Sequence, residues 1–169
     1  MTELTEGRLT FCFADHLSVT QYDQWSFYRN QFCGVCGGAK AVDFVSLDQN
    51  CAWLIEVKDY RAQRRTKVVD LGDEIALKVR DTLAGLVAAH CNANDRDEKK
   101  FAGRFVKKRK LKVVLHLEQP AKPSKLFPQV IDPSRLLMKL KQQIKSIDPH
   151  PVIVDQNSLR HGMDWIVRG

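Results

Sequence analysis

Asp43, Glu56 and Lys58 are the residues of this chain whose types and spacing can do chemistry together. Glu56 and Lys58 close the run Trp53-Leu54-Ile55-Glu56-Val57-Lys58. Side chains alternate along a strand. Trp53, Ile55 and Val57 therefore share one face, and Ala52, Leu54, Glu56 and Lys58 the other. The run Lys40–Leu47 also reads as a strand, with Asp48-Gln49-Asn50 as the turn between them. With Gln49 and Asn50 at the centre of that turn, Asp43 lies opposite Glu56 and Ala41 opposite Lys58. Directly opposed side chains share a face, with Cβ atoms about 5 Å apart. A slip of one residue would turn Asp43 into the core, where a lone carboxylate is costly.

Two carboxylates this close repel when ionised, and a divalent cation removes the repulsion. Asp43, Glu56 and a nearby backbone carbonyl are oxygen ligands suited to Mg²⁺ or Mn²⁺. A lysine beside them can orient or help deprotonate a metal-bound water and stabilise developing phosphate charge. That set is equipment for hydrolysing a phosphodiester. The plain alternative is a Glu–Lys pair on an exposed strand edge, where such charges block aggregation.

The remaining elements must position these groups. Arg8–Ala14 reads as a short first strand. Trp25, Tyr28 and Phe32 recur at helical spacing over 20–32, with Thr20 and Asp23 as a capping pair at the start. Arg61–Val69 is either a basic loop or a short strand. The clearest helix covers Asp70–His90, with Ile75, Val79, Leu83, Leu86 and Val87 on one face and Glu74 supporting Lys78 one turn on. Leu111–Leu117 reads as a strand. A second firm helix covers Asp132–Ile147, with Pro133 at its first position and Leu136, Leu137, Leu140 and Ile144 facing inward. Pro151–Asp155 and the tail Met163–Gly169 read as strands. Strands and helices alternate in the second half, so the expected class is α/β: one domain, a mixed central sheet flanked by helices.

The 169 residues suffice for one domain with a real core. The formal net charge of +7 favours a polyanionic partner. Much of it lies in Arg96–Lys112, with nine Lys or Arg against two acids. This segment reads equally as a solvated loop or as a nucleic-acid contact. Phe101 and Phe105 within it can stack on bases or anchor the segment to the body. Five cysteines argue against a disulfide framework. Cys33 and Cys36 form a single CxxC, for which a Gly-rich turn is a better account than zinc. No run is long and apolar enough for a membrane span, and the N-terminus lacks the layout of a secretory signal. The expectation is a cytoplasmic protein.

Asp43 followed by Glu56-Val57-Lys58 resembles the signature of the PD-(D/E)XK nuclease superfamily, with its restriction-endonuclease-like fold. The resemblance covers a core of about residues 20–118, leaving 119–169 as a C-terminal helix and strand extension of a single domain spanning 1–169. It implies that Asp43 and Glu56 bind the metal, that the Val57 carbonyl joins them, and that Lys58 serves the water. Asp23 is the candidate for a further acid from the first helix, with helix capping as the alternative. Val42 stands where the family often has Pro. Only Cys33–Ala39 occupies the interval where it usually has another strand, so Arg8–Ala14 supplies that strand or the sheet is pruned.

The implied function is a Mg²⁺-dependent endonuclease, acting on DNA more readily than RNA. Arg61, Arg64, Arg65 and Lys67, and Lys107, Lys108, Arg109 and Lys110, would hold the phosphate backbone. A small chain of this kind can gain reach as a homodimer. The alternative is a catalytically inactive nuclease-fold module that binds nucleic acid or a protein partner.

Overall fold

The computed structural model describes residues 1–120, 122 and 131–169. The hairpin predicted around residue 50 is present. β4 (Phe44–Leu47) pairs antiparallel with β5 (Cys51–Asp59), setting Phe44 opposite Ile55 and Leu47 opposite Ala52. This is the expected register, and its next step brings Asp43 level with Glu56. Asp48 fixes the turn, since its carboxylate accepts from the backbone N–H groups of Asn50 (2.7 Å) and Cys51 (2.6 Å).

β3 (Ser18–Gln21) lies antiparallel against the other edge of β4. β6 (Lys110–Glu118) runs parallel to β5, and β7 (Val152–Val154) parallel to β6. The main sheet is therefore mixed, with order β3-β4-β5-β6-β7. A parallel pair needs a long crossover, supplied by α1 (Leu71–Asn92) and α2 (Arg96–Phe105). Asp70 and Asp95 cap these helices by accepting from backbone N–H groups of their first turns. After β6 comes α3 (Pro133–Ile144), capped by Asp132.

The α/β class and the mixed sheet match expectation, but the layering differs. The three helices cover one face of the sheet: Leu71, Ile75, Val79, Leu86, Phe105, Leu136 and Leu140 pack with Val45, Leu54, Val113 and Leu115. A second, antiparallel sheet covers the other face, built from β1 (Thr2–Glu6), β2 (Leu9–Phe13) and β8 (Trp165–Arg168) in the order β1-β2-β8. Leu9, Phe11, Phe13 and Trp165 pack there with Phe44, Ile55, Val57 and Val114. β5 is thus buried on both faces, which explains its near-continuous apolar run.

Several local readings are corrected. Residues 20–32 do not form one helix. Thr20 lies in β3, Tyr22–Gln24 make a 3₁₀ turn and Tyr28–Phe32 a single wide turn. Thr20 does not cap; its hydroxyl accepts from the Trp25 indole at 2.6 Å. Tertiary packing overrides the helical spacing here, because Tyr22 is driven against Gly85 of α1, where a Cβ would sit 1.9 Å from the tyrosine oxygen. Arg61–Val69, open between loop and strand, is the loop. Arg96–Phe105 is helix rather than loop, with Phe105 buried and Phe101 against the core and Trp25, so both rings anchor the segment. Val87 faces solvent. The part of the C-terminal extension at 121 and 123–130 lies outside the described residues.

Candidate functional site

Beyond Ile55, β5 turns Glu56 and Lys58 toward α1, on the helix-covered face that also carries Ala52 and Leu54. Asp43, just before β4, arrives beside them, and its Oδ2 accepts from the backbone N–H of Val57 at 2.7 Å. The sheet therefore brings Asp43, Glu56 and Lys58 together. What the sequence reading did not place is a second lysine. Lys78 of α1 reaches in between the two carboxylates, with Nζ 2.6 Å from Glu56 Oε1 and 3.6 Å from Asp43 Oδ1.

The charges continue as an alternating chain. Lys58 Nζ lies 2.6 Å from the same Glu56 oxygen and 3.5 Å from Glu74 of α1. Glu74 then takes Lys67 at 2.9 Å and Arg65 at 2.8 Å. The expected Glu74–Lys78 support along the helix surface is absent, because both side chains turn inward to different partners. Both fall beside Leu71, Ile75 and Val79 on the inner face of α1. That placement was the available sequence signal.

Burial sets the electrostatics. Glu56 is 1% exposed, and burial together with the neighbouring Asp43 pushes its carboxyl up to about 7. Burial opposes the Lys78 and Lys58 charges, but Glu56 and Asp43 outweigh it and raise both ammonium groups above their usual value. Burial also disfavours the Glu74 charge, yet Lys67 and Arg65 bring its carboxyl down to about 2. The two buried glutamates, joined through Lys58, are thus pushed in opposite directions.

Two more acids border the site. Asp23, in its 3₁₀ turn, is raised by burial and by Asp43. Glu6, at the end of β1, is raised by burial, then by Asp43 and Asp23. Glu6 had no signal in the sequence, since only the second sheet brings it near. Glu56 Oε2 and Asp23 Oδ1 are buried without a hydrogen-bond partner among the described residues. These two open oxygens are hard donors of the kind a divalent cation takes, while Lys58 and Lys78 already offset the charge of Glu56. Among the described residues, however, no three His, Cys, Asp or Glu side chains form a ready-made metal cluster.

The basic residues split into two groups. Arg61 bonds Asp59 and the Gly169 carbonyl, and Arg65 and Lys67 serve Glu74. With Arg64 they lie at the Asp59 end of β5. Lys107, Lys108, Arg109 and Lys110 lie at the other end, since Lys110 pairs with Cys51. Lys108 is tied to the carbonyls of Asp48 and Gln49, whereas Lys107, Arg109 and Lys110 are exposed. At about 3.3 Å per residue, the exposed group lies on the order of 17–20 Å from Glu56. The two basic groups therefore lie at opposite ends of β5. Cys33 and Cys36 are exposed free thiols in a glycine-rich turn, with Cys36 at φ 51°. Among the described residues no helix is long and apolar enough to cross a membrane.

A curated relative is a protein named "Cysteine--tRNA ligase" from Neisseria meningitidis serogroup A, serotype 4A, strain Z2491. It is 36% identical over 167 residues, an alignment covering 81% of this chain and 24% of the ligase. The chain thus spans about a quarter of the length of the curated relative it matches. No family model matches the chain. No solved structure matches it.

The relative's name overturns the expected function. It points to a tRNA ligase rather than to an endonuclease or other hydrolase, so the nuclease reading and its preference for DNA are withdrawn. The geometry around Lys58 offers a physical reason. Its ammonium is held as a charge partner between Glu56, at 2.6 Å, and Glu74, at 3.5 Å.

Proposed function

We propose that this chain is an RNA-binding module acting alongside tRNA, and that its binding surface is the exposed turn Lys107–Lys110. The observation that carries the reading is the contrast in charge pairing. The turn displays Lys107, Arg109 and Lys110 to solvent, while the lysines of the carboxylate cluster are tied up inside the protein. Free surface cations gain counterion-release energy from phosphates, and paired buried ones do not. The likeness to part of a tRNA ligase supports RNA as the polyanion. The exposed Lys100 and Arg104 on the adjoining α2 extend the cationic surface toward β3, where Arg104 reaches the Ser18 hydroxyl.

The test is fluorescence anisotropy with a labelled tRNA transcript and a DNA duplex of equal length. Wild type is expected to prefer the tRNA. The triple variant Lys107→Glu, Arg109→Glu, Lys110→Glu is expected to bind it about 100-fold more weakly at 0.1 M salt. Equal affinity of the variant and wild type would sink the reading.

A second reading concerns the carboxylate cluster, and the unpartnered Glu56 Oε2 favours it. Asp43 and Glu56, with the Val57 carbonyl and Asp23, would hold a Mg²⁺ or Mn²⁺ ion in competition with the Lys78 ammonium. Such an ion would supply neutralisation of the paired carboxylates. Mn²⁺ titration followed by electron paramagnetic resonance checks this reading. Binding should be lost in Asp43→Asn, and binding unchanged in that variant would refute it.

A further inference from the structure

Where β6 begins, the exposed turn leads directly into a small cavity of about 180 Å³. Its lining includes Trp53, Lys112, Asp148, His150, Arg160 and His161. Trp53 and Lys112 are register partners on adjacent parallel strands, so their side chains project to the same face. Lys110 lies two residues before Lys112 on that face. Lys110 and Lys112 therefore link the turn to the cavity along one face of β6.

The cavity has one aromatic wall, and that wall is fixed. The Trp53 indole N–H donates to Asp48 Oδ2 at 3.1 Å, and its ring meets Trp165 edge to face at 5.4 Å. Asp48 is the residue that closes the β4–β5 turn, and its carbonyl accepts from Lys108. The indole, the hairpin and the cationic turn are thus one hydrogen-bonded unit. The single acid lining the cavity is Asp148, and it is already occupied. It is 1% exposed and accepts from the backbone N–H groups of Val113 (2.8 Å) and His150 (2.9 Å), with Lys112 3.9 Å away. Arg160, His150 and His161 are exposed at the rim.

A planar aromatic wall with cations at the rim suits a nucleotide. Bases stack on aromatic side chains whatever their sequence, and lysine and arginine take the phosphate. A cavity of roughly 150 Å³ holds one benzene-sized ring, so this one has room for a single base and none for a base pair. We propose that it is a nucleotide subsite, which takes one unpaired base against Trp53 and its phosphate on Lys112 and Arg160. Resting on the RNA-binding reading above, it further specifies single-stranded RNA leading off the turn.

The test uses adenosine 5′-monophosphate, adenosine, inorganic phosphate and a short oligoadenylate. Binding is followed by calorimetry and by the indole N–H resonance of Trp53. The monophosphate should shift that resonance and bind at least tenfold more tightly than adenosine or phosphate alone, and the oligoadenylate more tightly still. Arg160→Ala, a surface change, should weaken the monophosphate about tenfold. Trp53→Phe should retain binding and Trp53→Leu should lose it, which separates stacking from a merely structural role. The Lys107→Glu, Arg109→Glu, Lys110→Glu variant should keep monophosphate binding within about twofold while losing tRNA. If tRNA binds through the turn but the monophosphate leaves Trp53 unmoved, or Arg160→Ala changes nothing, the subsite is refuted and the RNA-binding reading stands. If the monophosphate binds and neither tRNA nor oligoadenylate does, the subsite takes only free nucleotides and the RNA-binding reading falls.

Discussion

At the Asp59 end of β5 the charged groups face one another, whereas at the Cys51 end they face solvent. Asp43, Lys78, Glu56, Lys58 and Glu74 alternate in sign within ion-pair distance, and the chain ends on Lys67 and Arg65. Some 20 Å along the strand, Lys107, Arg109 and Lys110 stand exposed. The sequence already separates the two ends, since Lys107–Lys110 are all cations while acids and lysines alternate around Glu56 and Lys58. Burial completes the difference. The inner charges set the proton affinity of one another, and the outer ones face solvent.

Removing Lys78 breaks this comparison most severely. Lys78→Met leaves Glu56 and Asp43 facing each other in a buried site, which costs about 3–5 kcal/mol. A fall in Tm of about 10 °C is expected by calorimetry, with tRNA affinity unchanged.

Glu56→Gln sharpens it through pH. In the fold the Glu56 carboxyl titrates near 7, against 4.5 for its ordinary value. Between those values the folded chain holds a proton that the unfolded chain has released. The stability contributed by Glu56 is therefore full below pH 4.5 and lost as pH rises through 7. The variant should lack this loss. Relative to wild type it should gain stability as pH rises from 4.5 to 8 in denaturant titrations. A difference between the two proteins that stays constant from pH 4.5 to pH 8 would show that Glu56 is not strained by its burial.

Glu74→Gln should give a smaller effect of opposite sign. Its carboxyl is lowered to about 2, so its contribution is present above about pH 4.5 and lost as pH falls through 2. At pH 7 the variant should be about 1–2 kcal/mol less stable than wild type, and the difference should shrink on acidification. The pair of variants thus reads the two glutamates of one cluster as opposed titrations.

Much of this arrangement was legible in the sequence. Hairpin length fixed the register, and the register fixed Asp43 beside Glu56, because a one-residue slip would have buried a lone carboxylate. α1, α3 and the strand β6 followed from periodicity and turn signals, whereas the parallel pairing of β6 with β5 did not. Lys78 and Glu6 were not legible as site residues. Lys78 reads as a surface partner of Glu74 until the inner face of α1 is known, and Glu6 approaches only because β1 joins β2 and β8 in a separate sheet. The helix expected at 20–32 failed because Tyr22 needs the notch at Gly85, a contact 63 positions away in the chain. The acid–acid–lysine pattern was located correctly, but its meaning depended on how its charges are compensated, which local spacing does not encode.

The most direct test of the central claim is the salt dependence of tRNA binding by wild type and by Lys107→Glu, Arg109→Glu, Lys110→Glu. Each phosphate neutralised contributes about 0.7–0.9 to the slope of log affinity against log salt. The variant should lose about two to three from that slope, while Lys78→Met should lose none. An unchanged slope in the turn variant would contradict the account, and a reduced one in Lys78→Met would place the RNA at the buried cluster instead.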